Sequence, residues 1–106
     1  MIEVAASRNA TTLTIAGDLD LSARDQFPRA AAHVNGLRSP LVIIDMCRST
    51  FMDSTGAAFL ISVAEGAARR GAGTVLRGCG EDSLFVLDIC GALDSFRLDT
   101  EHRCPD

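Results

Sequence analysis

The apolar run Leu41-Val42-Ile43-Ile44, closed by Asp45, is followed by a short polar stretch and then by a long helix-forming pattern from Ala57 to Arg70. A run this short and this apolar reads as a fully buried strand. The pattern downstream stops at Gly71, a residue suited to the position just past a helix C-terminus. A strand that feeds a helix constrains the fold strongly, because the helix must pack back on the sheet and deliver a parallel, right-handed crossover. Asp53-Ser54-Thr55-Gly56 stands at the exit of this strand-loop-helix unit. Unpaired backbone N–H groups and the positive end of the helix dipole converge there, so the position suits a capping side chain, a phosphate, or both.

The rest of the chain extends the same theme. Ile2 to Ala6 and Thr11 to Ala16 read as strands, the second alternating Leu13 and Ile15 with Thr12 and Thr14 and ending at Gly17-Asp18. Arg8-Asn9-Ala10 is a turn between them, which makes an antiparallel hairpin. Ser22 to Val34 carries Phe27, Ala30, Ala31 and Val34 at helical spacing, with Gly36 as its stop. Pro28 leaves two starts open: Ser22 as N-cap, which puts a kink at Pro28, or Asp25 as N-cap, which puts Pro28 in the tolerant first turn. Ala57, Leu60, Ile61, Ala64, Ala67 and Ala68 form the apolar stripe of the helix after Asp53-Ser54, and Gly66 within it suggests close packing on the sheet. Thr74 to Leu76 is a strand, Glu81 or Asp82 opens a helix that runs to about Cys90 and stops at Gly91, and Phe96 to Leu98 is a last strand. In that third helix Phe85 and Ile89 on one side, and Leu84, Leu87 and Cys90 on another, are each compatible with an apolar face. The tail, Thr100 to Asp106, reads as solvated. Strands alternating with helices give an α/β class: one domain over residues 1–106, with a mixed sheet of about four to five strands packed against helices.

Composition excludes several kinds of chemistry. All ten basic residues are Arg, so a P-loop lysine, a Schiff base and a lysine general base are ruled out. The formal net charge of −4 and the lack of Trp and Tyr argue against a nucleic-acid partner and for a protein partner that offers a basic patch. No apolar run approaches the ~20 residues a membrane-spanning helix needs, and Met1-Ile2-Glu3-Val4 does not open a signal peptide. Cys47, Cys79, Cys90 and Cys104 form no C-x-x-C pair, and the expectation is a cytoplasmic protein with mostly reduced thiols. A narrower redox reading pairs Cys79 with Cys104, because each follows one of two successive parallel strands whose downstream loops would meet.

Candidate catalytic groups are few. Asp18-Leu19-Asp20 resembles the D-x-D nucleophile segment of haloacid-dehalogenase-type phosphatases, but those enzymes need a Lys, and a polar turn into the next helix is the simpler reading. The two Gly-x-Gly segments at 71–73 and 78–80 do not extend to a dinucleotide fingerprint and read as turns. His102 and Cys104 offer two metal ligands where a structural zinc needs four, and His33 reads as an ordinary helix residue. No metal, cofactor or enzyme activity is expected.

Gly17-Asp18-Leu19-Asp20, Leu41 to Asp45 and Phe51-Met52-Asp53-Ser54-Thr55-Gly56, in this order and spacing, resemble the STAS domain, specifically bacterial anti-sigma factor antagonists. The likeness spans nearly the whole chain; the family often has a further helix after the last strand. The resemblance implies an antagonist that binds an anti-sigma factor which is also a serine kinase, frees a sigma factor, and is switched off by phosphorylation and restored by a phosphatase. It places the phosphoacceptor on Ser54 and the partner surface on Asp20, Asp53, Thr55 and Gly56, with Gly56 allowing a partner backbone to approach. The rival readings are a ligand or redox sensor on the same fold that uses its cysteines, with Cys79 and Cys104 the redox pair, and, behind it, a small phosphatase on Asp18 and Asp20.

Overall fold

The computed structural model describes residues 1–105. Five strands form one sheet in the order β1-β2-β3-β4-β5: β1 Ile2–Ala6, β2 Thr11–Leu19, β3 Leu41–Met52, β4 Gly73–Arg77 and β5 Arg97–Asp99. β1 pairs antiparallel with β2, and the later pairings are parallel. Three α-helices connect the parallel strands: α1 Phe27–Leu37, α2 Ser54–Arg69 and α3 Glu81–Ile89. This is the mixed α/β sheet that the strand and helix order predicts, since a hairpin needs only a short turn and a parallel return needs a crossover.

One face of the sheet carries the core. Leu13, Ile15 and Leu19 from β2, Val42, Ile44 and Met46 from β3, and Leu76 from β4 are buried against Ala30 and Val34 of α1, Ala57, Leu60 and Ala64 of α2, and Leu87 of α3. Leu41, Ile43, Asp45 and Cys47 alternate with the core residues of β3 and are only partly buried. The apolar run at 41–44 is therefore covered fully on one face alone, which corrects the expectation of a strand buried on both.

Several boundaries move, each for a local reason. β2 does not stop at Gly17-Asp18; its pairing with β3 shifts register there, and Gly17 has φ +82°, so the glycine makes a bulge inside a longer strand. β3 likewise runs on to Met52, because the extended β2 keeps pairing with it as far as Leu19↔Met52. Neither Ser22 nor Asp25 caps α1. Asp20 caps a single 3₁₀ segment, Leu21–Gln26, and α1 follows with Pro28 in its first positions, where the missing N–H costs little. Gly36 lies inside α1, and Arg38 with φ 54° takes the left-handed residue at its end.

The buried side of α2 includes Phe59 and Val63, which the sequence stripe omits, while Ala68 is exposed. Phe59 stacks on Phe27 of α1 with ring centroids 4.3 Å apart. Gly66 faces α1 rather than the sheet: a Cβ there would stand 2.9 Å from Asn35 Oδ1, which also accepts a 2.6 Å hydrogen bond from Arg70. In α3 Leu84, Val86 and Leu87 pack on the core, whereas Cys90, expected on the same face as Leu84 and Leu87, is exposed, and Phe85 and Ile89 point to solvent.

Candidate functional site

β2 and β3 end side by side, and the parallel register Asp18↔Phe51 and Leu19↔Met52 carries Asp20 and Asp53 out of the sheet at the same end. Each aspartate then begins a helical segment. Asp20 Oδ1 accepts the Ser22 N–H at 2.9 Å, and Asp53 Oδ1 accepts the Gly56 N–H at 3.0 Å. Asp53 has the extended backbone of an N-cap, φ −107° and ψ −172°. The α2 start is thus Ser54, three residues earlier than the apolar pattern suggests, because a cap and a polar first turn leave no apolar periodicity to read. Asp53 is the cap, and Ser54 is the first helical residue.

Ser54 is exposed and Thr55 is partly buried. The first turn of α2 contains no acidic side chain, so the dipole end beside Ser54 carries only the Asp53 carboxylate as a counter-charge. Asp18 faces the same end and accepts a 2.7 Å hydrogen bond from the Thr50 hydroxyl of β3. The three aspartates are therefore structural acceptors of short local bonds, and together they make this end of the sheet acidic.

Gly56 is buried, and the close backbone approach expected of it is made within the chain. A Cβ at Gly56 would overlap the Leu19 carbonyl oxygen and come within 2.9 Å of Leu19 Cγ. The Asp53 N–H reaches the same carbonyl at 3.4 Å. Gly56 consequently locks the α2 N-terminus onto the end of β2 and is itself buried there. Leu21 and Phe51, exposed by 58% and 53%, flank Asp20 and Asp53 with large apolar side chains. Periodicity marks neither residue; the sequence signal is an apolar residue within two positions of a capping aspartate.

The disulfide joins Cys47 to Cys104, which corrects the expected pairing of Cys79 with Cys104. Asp99 Oδ1 accepts the N–H groups of Glu101 and His102 at 3.1 Å, which turns the chain after β5. The tail then reaches Cys47 on the partly buried side of β3, so it is anchored rather than wholly solvated; Asp106 lies outside the described residues. Cys79 packs against the core, where burial pushes its thiol up to about 11 despite an opposing hydrogen bond with Ser83. Cys79 and Cys90 are free thiols. No helix among the described residues is long and apolar enough to cross a membrane.

A family model described as the STAS domain matches residues 1–103. No curated protein matches the sequence. Solved structures do. The unphosphorylated anti-sigma factor antagonist SpoIIAA of Bacillus aligns at 18% identity over 95% of this chain and 90% of its own, with a TM-score of 0.75. An anti-sigma factor antagonist from Mycobacterium paratuberculosis aligns at 21% identity over 94% and 85%, TM-score 0.77. A substituted form of RsbS from Moorella thermoacetica aligns at 17% identity over 97% and 89%, TM-score 0.79. At these identities the likeness establishes a shared fold.

Proposed function

The chain belongs to the STAS domain family, and on that premise we propose that it is an anti-sigma factor antagonist switched by phosphorylation of Ser54. The observation that carries this reading is the exposed Ser54 hydroxyl at the first residue of a capped helix whose first turn holds no acid. A phosphate adds a charge of about −1.5 to −2 and three acceptor oxygens. At this position the helix dipole favours the added charge, so the fold tolerates it. The solved neighbours lend support: SpoIIAA is known in unphosphorylated and phosphorylated forms.

In this reading the unmodified protein presents Asp20, Asp53, Thr55, Leu21 and Phe51 to an anti-sigma factor that is also a serine kinase. The apolar pair supplies desolvated contact area and the carboxylates meet a basic patch. Docking occupies the anti-sigma factor and frees its sigma factor. Phosphate on Ser54 crowds negative charge beside Asp53 and replaces a small hydroxyl with a bulky group, which disfavours docking until a phosphatase removes it. The proposed role is binding, not catalysis: Asp18 and Asp20 are committed to Thr50 and Ser22, and the chain has no lysine to complete a phosphatase site.

The test uses the partner recovered by pull-down with unphosphorylated protein. Incubation with that partner and ATP should place phosphate on Ser54 by mass spectrometry, and Ser54→Ala should lose it. Ser54→Asp should weaken binding at least about tenfold, while the dipole changes stability by only about 0.3–1 kcal/mol in its favour. Undiminished labelling of Ser54→Ala, or wild-type affinity in Ser54→Asp, overturns the switch.

A further inference from the structure

A second cluster forms where the C-terminal tail meets β3, away from Ser54. One ligand atom each from Cys47, His102 and Cys104 lies within 4.8 Å of the others. The turn at Asp99 sets the backbone of His102, whose N–H donates to Asp99 Oδ1 at 3.1 Å. His102 Nε2 is buried and has no hydrogen-bond partner among the described residues. A buried imidazole nitrogen left unpaired is unfavourable unless something satisfies it. Gly78 covers the sulfurs with bare backbone: a Cβ there would overlap Cys47 Sγ and stand 2.9 Å from Cys104 Sγ. The sulfurs therefore lie directly against the backbone of residue 78, where no side chain fits.

In the structure the two sulfurs are joined. A disulfide cannot supply two thiolates, so the joined form holds no cation through these groups. We propose that reduction of the Cys47–Cys104 bond converts the cluster into a site for one divalent cation of the zinc class, bound by both thiolates and the His102 imidazole, with water completing the shell. Thiolate and imidazole ligands select borderline-soft ions of this class. Tetrahedral bonds of about 2.3 Å to sulfur and about 2.0–2.1 Å to nitrogen put ligand atoms roughly 3.5–3.8 Å apart, a spacing within reach of atoms that already lie within 4.8 Å of one another once the sulfurs part.

The chemistry balances with a cellular dithiol as reductant. Its two sulfurs join to each other, the Cys47–Cys104 bond breaks, and its two protons pass to Cys47 and Cys104. The cation then displaces both thiol protons to solvent, which leaves a site of no net charge. Cys104 is exposed, so reductant and ion have access. Disulfide and cation are mutually exclusive ties between the same two residues, 57 apart in sequence, and only the reduced, ion-free protein releases the tail.

Anaerobic titration with Co²⁺ tests this on the full chain, reduced by a phosphine and compared with the unreduced protein. The phosphine leaves as its oxide, taking oxygen from water while water's protons go to the sulfurs. The reduced protein should bind one equivalent of Co²⁺ with thiolate-to-cobalt charge-transfer absorption and visible bands of tetrahedral intensity, both erased by Zn²⁺. The unreduced protein should show neither. Cys104→Ser should abolish the charge-transfer signal, His102→Ala should weaken binding more than about tenfold, and the double variant Cys79→Ser/Cys90→Ser should retain both. No charge-transfer band in reduced protein with a native circular dichroism spectrum overturns the proposal. So does a band that survives Cys104→Ser, that persists in the unreduced protein, or that disappears in the Cys79/Cys90 double variant. The comparison of reduced with unreduced wild type needs no substitution, so a variant that fails to fold does not remove the test.

Discussion

Two strand-to-helix junctions leave the same end of the sheet from neighbouring parallel strands, and they are built in opposite ways. β3 enters α2 through Asp53, whose carboxylate caps the helix, and Gly56 presses the first turn against Leu19. β4 enters α3 through Gly78-Cys79-Gly80; Gly80 is the N-cap position and makes no side-chain cap bond. The first turn of α2 has no acid, whereas that of α3 already carries Glu81 and Asp82. α2 buries Gly56, Ala57, Phe59, Leu60 and further residues along its length, while α3 buries Leu87 alone and exposes Phe85 and Ile89. The charge switch proposed at Ser54 draws on this contrast. At the first junction Gly56 packs closely on Leu19, and no acid in the first turn of α2 answers the helix dipole. At the second junction a further negative group would meet two carboxylates.

Three substitutions would break or sharpen this contrast. The largest effect is expected at Gly56. Gly56→Ala forces a methyl into the Leu19 carbonyl, and the backbone of β2 or α2 must give way, with a loss of about 1–3 kcal/mol or more. Urea unfolding should show a clear fall in midpoint; unchanged stability would mean that the α2 start is not locked to β2. Asp53→Ala removes the cap and should cost about 1 kcal/mol, within a range of about 0.5–2. Its thermal midpoint should drop while the circular dichroism spectrum at low temperature stays native. A drop no larger than that of an exposed control substitution would remove the distinction between a capped and an uncapped junction. The smallest effect is a gain. A Cβ at Gly80 would meet nothing within 4 Å, and the backbone φ of −73° suits any residue, so Gly80→Ser can add the missing cap at a benefit of a few tenths of a kcal/mol. A destabilised Gly80→Ser would show that this loop is as tightly held as the first.

The order of elements was legible because it rests on local signals. Alternation in Thr11 to Ala16 gave a half-buried strand, and it is one. Gly71 and Gly91 follow the ends of α2 and α3 with φ of +76° and +70°, as C-terminal glycines should. The Asp53-Ser54 pair at a helix start was readable from the strand and helix on either side. Element ends were less so. Gly17 looks like a stop in sequence and is a bulge in the sheet, because whether a strand continues past a glycine depends on whether its neighbour continues to pair. Pro28 was ambiguous for a similar reason: the 3₁₀ segment capped by Asp20 takes up Leu21–Gln26, and Pro28 then falls in the first turn of α1, where the Asp25 alternative also put it.

The sequence by itself determined the α/β class, the antiparallel hairpin, the parallel crossovers and the serine at the head of α2. These follow from periodicity, caps and breakers acting over a few residues. Tertiary structure alone decided that Gly56 serves Leu19, that Gly66 serves Asn35, and that Cys104 meets Cys47 with His102 beside it. Each of these is a contact between segments far apart in the chain. The residue types permit such contacts, but only the packing of the sheet and its return loops selects the partner. For the cysteines the deciding fact is the side of the sheet: Cys79 packs into the core, Cys47 stands among the outward residues of β3, and the turn at Asp99 brings the tail to the latter.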